Sequence, residues 1–350
     1  MNPPVHSQEE FPLQLDSRRL ASLKRQVPFP CELTLLPEDD DHGAGAAALT
    51  CLEPLRLLPG RRLVCRARWR AAPVVAKLFI HPAKAGRDYD RELAGHRLFT
   101  AAEIATPALV ARGRLGGGGR AVLYRYLEDA VSLGSLVPLV PTPAALEKLG
   151  AVLAAIARMH RAGFRQVDLH LNNFLWAGGR LFTLDSGDLA VLPAAEKART
   201  ALVRKNLADL LSQLPLAYEP CFADLLASYN RAAKPDRELT VAELAADIRS
   251  WRRWRQRHYV RKAGRDSSDF VVARSWRRLL ACRRGYDAGP WREFYRRLDE
   301  LVVAGERLKD GNSATVALVE WAGEKVVIKR YNIKNLAHWL RRCWRPSRGW

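Results

Sequence analysis

The chain has 350 residues, 48% of them hydrophobic and 27% charged, a composition that excludes a disordered or collagen-like polymer and leaves room for about two globular domains. Fifty-seven Lys and Arg against 37 Asp and Glu give a formal net charge of +20, which points to an anionic partner: nucleic acid, an anionic membrane surface or a phosphorylated substrate. The six cysteines, at 31, 51, 65, 221, 282 and 343, form no C-x-x-C pair, the start MNPPVHSQEEF is not a secretory signal, and no run approaches the ~20 apolar residues of a membrane span, so a soluble protein with reduced thiols is expected.

In chain order, residues 1–50 are expected to be a loosely structured extension, Pro-rich at first, then acidic in PEDDDH and Gly/Ala-rich in GAGAAA. From Leu55 the pattern changes. LRLLPGRRLVCRARW predicts two strands and APVVAKLFI a third, with β-branched residues around Lys77. Arg87 to Thr100 has apolar residues at helical spacing, and Pro107 closes that region. RAVLYRYLE (120–128) predicts another strand after the loop GGGG. Thr142-Pro143 then opens a helix, since Thr caps an N-terminus and Pro at the first helical position forfeits no hydrogen bond. Leu146, Leu149, Leu153, Ile156 and Met159 carry its apolar face, and Gly163 stops it. Next come VDLHLNNFLW (167–176), a short strand in LFTLDSG, and helices near 195–213 and 219–232. Strands first and helices afterwards predict a two-lobed α+β fold rather than alternating βαβ.

From 249 to 298, sixteen Arg and Lys stand against four Asp and Glu, interleaved with Trp251, Trp254, Trp276 and Trp291. Two readings stay open: a solvated helical face whose Trp side chains dock on the core, and an electrostatic dock for an anionic surface. No recognised nucleic-acid motif accompanies the charge, so nucleic acid is not the expected partner.

The chemistry lies in three features taken together. Asp168 is followed five residues later by Asn173, and twelve residues beyond that comes Asp185, in LDSG. Upstream, Lys77 sits in a strand and Glu92 on the following helix. Phosphoryl transfer from ATP needs such a set. A carboxylate (Asp168) takes the acceptor proton, an amide oxygen and a second carboxylate (Asn173, Asp185) hold Mg²⁺, and a lysine positioned by a glutamate neutralises the phosphates. Each element alone is a common turn or surface feature. Their order, Lys, Glu, strand, helix, D-x-x-x-x-N, strand, D-x-G, matches a kinase layout.

The run MHRAGFRQVDLHLNNFLW with LFTLDSGDL, and RHYVRKAGRDSSDF further on, resembles the lipopolysaccharide core kinases, the Kdo/heptose kinase family, over about Leu55 to Phe270. The resemblance implies a bilobal protein-kinase-like fold and a bacterial kinase that uses ATP and Mg²⁺ to phosphorylate a sugar hydroxyl of the lipopolysaccharide inner core. It also implies a cytoplasmic place at the inner membrane's inner face, held peripherally. By position, Asp168 resembles the catalytic base, Asn173 and Asp185 the Mg²⁺ ligands, Lys77 the phosphate-binding lysine with Glu92 or Glu103 as its partner, and Tyr126 to Glu128 the adenine-binding hinge. Two departures are visible. Gln166 stands where kinases usually carry a His, and the nucleotide loop offers only Gly60. His170 is open between a substrate ligand and a structural hydrogen-bonder. A protein or small-molecule kinase of the same fold and a catalytically weak pseudokinase scaffold remain alternatives.

LKDGNSATVALVEWAGEKVVIKRYNIKN (308–335) repeats the early pattern: Gly311 precedes Lys329 by eighteen residues, as Gly60 precedes Lys77 by seventeen. This predicts the first three strands of a second kinase N-lobe, with Lys329 as a nucleotide-binding candidate in a longer tandem-kinase protein; a vestigial docked module is the alternative. The expected organisation is therefore an extension (1–50), N-lobe (51–128), C-lobe (129–248), a basic Trp/Arg-rich helical region (249–305) and a partial second N-lobe (306–350).

Overall fold

The computed structural model describes residues 12–23, 26–38, 45–267, 269–276, 279–312, 314–333, 335–337 and 340. The chain divides into two compact units, Met1–Trp251 and Arg252–Trp350, and is mixed α+β.

The first unit opens with β1 (Leu13–Gln14), α1 (Ser17–Ser22), β2 (Cys31–Pro37), β3 (Ala47–Leu58), β4 (Arg62–Trp69), β5 (Ala72–Phe79), α2 (Ala85–Ala101), β6 (Leu109–Leu115) and β7 (Arg120–Arg125). Strands run in the order β2-β3-β4-β5-β7-β6, and β6 pairs again with β2, closing a six-stranded antiparallel barrel flanked by β1. Closure satisfies the ladder on both sides of every strand and removes the free edges. It also demands a close approach: a side chain at Gly113, whose partner in register is Pro37, would put its Cβ 2.1 Å from the Leu36 carbonyl oxygen.

The period-two alternation explains the barrel core. Leu33 and Leu35 on β2, Leu63 and Cys65 on β4, Val74, Ala76 and Leu78 on β5, and Leu123 on β7 point inward, all with no exposure. Their neighbours necessarily point outward. Cys31 and Cys51 sit opposite each other within this core as free thiols, and hydrogen bonding to Cys51, followed by burial, pushes the Cys31 thiol up. Cys343 lies outside the described residues.

The loose structure expected over 1–50 is corrected for residues 12–23, 26–38 and 45–50. β2 is a barrel strand, and α1 ties to the GGGG loop, with Ser17 Oγ accepting from Gly119 N at 2.9 Å. The strand was hidden between prolines and the acidic run because β6, one of its two barrel partners, lies far along the chain. Glu38, from that run, accepts from Tyr89 Oη and Arg120 Nη1, each at 2.6 Å. Residues 1–11 and 39–44, the remainder of the expected extension, lie outside the described residues.

The helical part follows: β8 (Val131–Ser132), α3 (Leu133–Leu136), α4 (Pro143–Arg161), β9 (Phe164–Gln166), a 3-10 turn (Leu171–Asn173), β10 (Phe174–Ala177), β11 (Arg180–Thr183), β12 (Leu189–Val191), α5 (Glu196–Leu211), α6 (Phe222–Ala233) and α7 (Val241–Ala263). Thr142 Oγ1 accepts from Ala145 N at 3.2 Å, so the expected cap forms. Leu149, Leu153 and Ile156 of α4 bury against Leu207 and Leu211 of α5 and Leu225 and Leu226 of α6, making a core separate from the barrel's.

The second unit holds the remainder of α7, the hairpin β13 (Phe270–Arg274) and β14 (Leu279–Arg283), α8 (Pro290–Arg296), α9 (Leu298–Ala304), and the sheet β15 (Glu306–Gly311), β16 (Ala314–Trp321) and β17 (Glu324–Tyr331). The basic region is thus not all helical: the β-branched pair in FVVAR supports a strand. Of its Trp residues, Trp291 packs on the core of this unit while Trp276 is 89% exposed. The three expected strands form an antiparallel sheet whose Ala317, Val319 and Ile328 bury against Phe294 and Val302. Lys329 lies on the opposite face, exposed, its Nζ 4.9 Å from the Tyr331 ring centroid. Residues 341–350 lie outside the described residues.

Leu35 and Leu36 provide a test of barrel closure, being unexposed and 43% exposed respectively. In urea denaturation of the full chain, Leu35→Ala is expected to cost about 2–5 kcal/mol and Leu36→Ala about 0.5 or less. Equal, small costs would show that the strand does not hold the barrel.

Candidate functional site

The alternation that fills the barrel sends Arg62 and Val64 of β4, Val75 and Lys77 of β5, and Tyr124 of β7 to its outer wall. There they line a cavity of about 630 Å³ together with Arg56, Glu92, Tyr126, Asn173 and Asp185. Leu55, Val64, Val75, Leu127, Leu175 and Leu184 give it apolar walls, and charged and polar side chains make up most of the rest of its lining. A cleft with apolar walls and a few convergent polar groups suits a ligand with a flat ring and an anionic tail.

Helix α2 packs on that wall through Ala85, Tyr89 and Leu93, against Phe79, Val122 and Tyr124. This brings Glu92 Oε1 to 2.7 Å from Lys77 Nζ. The same oxygen accepts from Tyr124 Oη at 2.9 Å and from Ser186 Oγ at 3.0 Å, so three donors compensate a carboxylate that is 1% exposed. Burial, then the Glu92 charge, pushes the Tyr124 hydroxyl up, which keeps it a donor. Glu103, the other sequence candidate, lies just past the end of α2, its N–H bonded to Thr100 O.

Lys77 Nζ also lies 3.5 Å from Asp185 Oδ1, and Arg62 Nη1 lies 3.9 Å from that oxygen. Burial opposes ionisation of Asp185, but Lys77, then Arg62 and Arg56, outweigh it and hold the carboxyl below its ordinary value. Asp185 has φ +61, a left-handed conformation uncommon outside glycine. Its backbone is held on both sides. Gln166 Nε2 donates to Leu184 O at 2.7 Å and to Asp185 O at 3.5 Å, and Leu184 N donates to Asn173 O at 2.7 Å. Gly95 allows α2 to meet this segment, since a Cβ there would lie 1.7 Å from Ser186 O.

In the 167–176 loop, Leu169, Leu171 and Phe174 are buried in the helical core and anchor the polar residues between them. Asn173 Nδ2 donates to Asp168 O at 2.8 Å, which orients its amide oxygen as an acceptor. Asn173 and Asp185 could supply two oxygens to a hard divalent cation such as Mg²⁺; among the described residues no cluster of three His, Cys, Asp or Glu side chains forms a metal site by itself. Asp168 does not line the cavity. Its side chain is 63% exposed, with Oδ2 3.7 Å from Nε2 of His170, which does line it. Asn172 Oδ1 accepts from Ser132 Oγ at 2.9 Å. Gly60, in the turn between β3 and β4, and Glu128, exposed beyond Leu127, lie outside the lining.

Several residues of this arrangement escaped the sequence reading. Gln213 braces the loop, donating to Leu169 O at 2.8 Å and accepting from Leu171 N at 3.2 Å. Asn206 Nδ2 donates to Gln166 O at 2.9 Å, its Oδ1 meets His160 Nε2 at 3.0 Å, and His160 Nδ1 meets Tyr229 Oη at 2.9 Å. Arg56 and Arg62 were invisible because their relation to Lys77 depends on strand register.

No family model matches this chain, and no curated protein does. Among solved structures, one described as WaaP in complex with acyl carrier protein superposes with a TM-score of 0.42 at 21% identity, covering 60% of this chain and 88% of that one.

Burial lowers the His160 pKa from 6.5 to about 4, with Asn206 opposing. Between these values the unfolded chain binds a proton that the folded chain refuses, so stability falls as pH drops from 6.5 toward 4. Urea titrations at pH 7 and pH 4.5 are expected to show a loss larger by roughly 2–3 kcal/mol in the native chain than in His160→Gln. Equal losses would mean that His160 does not titrate in this way.

Proposed function

We propose that the chain is an ATP- and Mg²⁺-dependent phosphotransferase with a protein-kinase-like, bilobal first unit, acting on a sugar hydroxyl of the lipopolysaccharide inner core, a heptose or Kdo. The observation that carries this reading is the single charged cluster of Lys77, Glu92 and Asp185 on one cavity wall, facing Asn173. Lys77, held by Glu92, would bind the nucleotide phosphates. Asn173 and Asp185 would hold Mg²⁺, which draws charge from the transferring phosphoryl group. Asp168, accessible and beside His170, would accept the acceptor proton. The segment around Tyr126 and Leu127 would receive the adenine ring, whereas Glu128 and Gly60 contribute only through their loops.

Gln166 supports an active enzyme rather than a scaffold, because its side chain braces the backbone at Leu184 and Asp185, the task otherwise given to a loop His. In this reading the barrel and α2 form the N-lobe, including β1 and β2, and residues 129–248 the C-lobe. The region 249–305 carries basic charge, and 306–350 repeats part of an N-lobe. Among the described residues no helix is long and apolar enough to cross a membrane. Exposed Trp254 and Trp276 amid arginines suit peripheral contact with an anionic lipid surface, at about 1 kcal/mol per basic residue near it.

The test is transfer from γ-labelled ATP, with Mg²⁺, to enzymatically dephosphorylated lipopolysaccharide. Asp168→Ala is expected to lower kcat by about 10²–10⁴ while ATP still binds; undiminished transfer would remove Asp168 as the base. ATP bound with no label on sugar would move the acceptor elsewhere or favour the scaffold. Gln166→Ala is expected to lower the melting temperature, since it strands buried carbonyls, and, measured where the variant is fully folded, to reduce kcat about tenfold through misplacement of Asp185; an unchanged kcat would dismiss the bracing role.

A further inference from the structure

The hairpin β3–β4 overhangs the cavity with one glycine, Gly60, while Pro59 has no N–H and Arg61 N already donates to Leu58 O, so its turn has few backbone amides left to cradle phosphates. It presents guanidinium groups instead. We propose that Arg56 and Arg62 form a clamp for the β- and γ-phosphates of the bound nucleotide, replacing the backbone cradle; the inference rests on the nucleotide-binding reading above and specifies how this chain holds the polyphosphate.

Strand register is the first support. Arg56 on β3 is the partner of Val64 on β4, and Val64 is the partner of Lys77 on β5. Residues directly opposite in an antiparallel sheet share a face, so Arg56, Val64 and Lys77 form a row across the outer wall, with Arg62 two residues from Val64 on the same face. Two strand spacings separate the ends of the row by about 10 Å, a span that suits a polyphosphate chain lying over Val64. Both arginines line the 630 Å³ cavity and also an adjoining one of about 260 Å³, which Asp185 shares.

Charge matching is the second support. Around the smaller cavity, Asp88 pairs with Arg61 and Arg87, and Asp188 pairs with Arg91. Glu92 is committed to Lys77. Asp185 alone is left to face Arg62 and Arg56 while also meeting Lys77. One carboxylate against three cations, with one further carboxylate on the lysine, leaves net positive charge aimed into the cavity. Planar guanidinium forks match phosphate oxygens in pairs, and so bind a polyphosphate with more directionality than an ammonium does.

The third support comes from the second unit considered alone. There Lys309 on β15 is the partner of Val316 on β16, and Val316 is the partner of Lys329 on β17. The row of cation, valine and lysine therefore occurs twice in this chain, in the same strand order.

The test is calorimetric titration of the full chain with adenosine, ADP and ATP in the presence of Mg²⁺. Native protein is compared with Arg56→Ala, Arg62→Ala and Arg62→Lys, each checked for an unchanged melting temperature. Each alanine variant is expected to bind ATP about ten- to a hundredfold more weakly, the range for losing a charge-assisted hydrogen bond, and to bind adenosine as the native chain does. Arg62→Lys is expected to recover part of the loss. Unchanged or tighter ATP binding in the alanine variants would overturn the clamp and make Arg62 a lock on Asp185. Equal weakening for adenosine and ATP would also overturn it, since the arginines would then only shape the hairpin. Native protein that binds no adenine nucleotide would defeat the underlying reading and the clamp with it, whereas native binding with unaffected variants defeats the clamp alone.

Discussion

The ion pair between Lys77 and Glu92 organises the first unit. At 2.7 Å and almost wholly buried, it cannot be broken without stranding a charge in a poorly solvated place, a cost of about 3–5 kcal/mol. Three structural conditions must hold together for it to form. The barrel must close in the register that turns Lys77 outward, α2 must dock on Phe79 and Tyr124, and the 184–187 segment must approach closely enough for Ser186 to bond the same carboxylate oxygen. Gly95 is where the last two conditions meet, because any side chain there would collide with Ser186 O. The pair therefore couples the β-rich part of the unit to the segment that carries Asp185.

A second set of bonds, all to backbone, fixes the other side of the cavity. Gln166, Asn206 and Gln213 direct their amides at carbonyls and N–H groups of the 166–171 and 184–185 segments. Neutral amides suit this task. They satisfy buried backbone groups without adding charge beside Asp185, whose ionisation already depends on a balance between burial and three cations. His160 extends the network as a neutral ring at ordinary pH, again adding no charge.

Much of this was legible in the chain itself. The helix from Pro143, the hairpin around Gly60, the strand with Lys77 and the helix with Glu92 follow from periodicity and capping, since both act within a few residues. The last three strands of the second unit, β15 to β17, were visible because they repeat the earlier pattern. What escaped notice depended on long-range pairing. Strand β2 was lost in a stretch of prolines and acidic residues, although its Leu33 and Leu35 alternate correctly, because a short apolar alternation becomes a strand only when β3 and β6 supply its partners. The hairpin at 270–283 was absorbed into a basic region taken as helical throughout.

The sequence by itself determined which chemical groups are available: a strand lysine, a helix glutamate, and the D-x-x-x-x-N loop with its downstream Asp, all in a fixed order. Tertiary structure alone decided their partnerships. It selected Glu92 over Glu103, gave Gln166 its acceptors, left Asp168 exposed beside His170, and set Arg56 and Arg62 across from Lys77. The reason is geometric. Side-chain identity is a local property, but a shared face, a hydrogen bond and a shifted pKa arise from strand register and helix docking between segments many residues apart, which no short stretch of sequence contains.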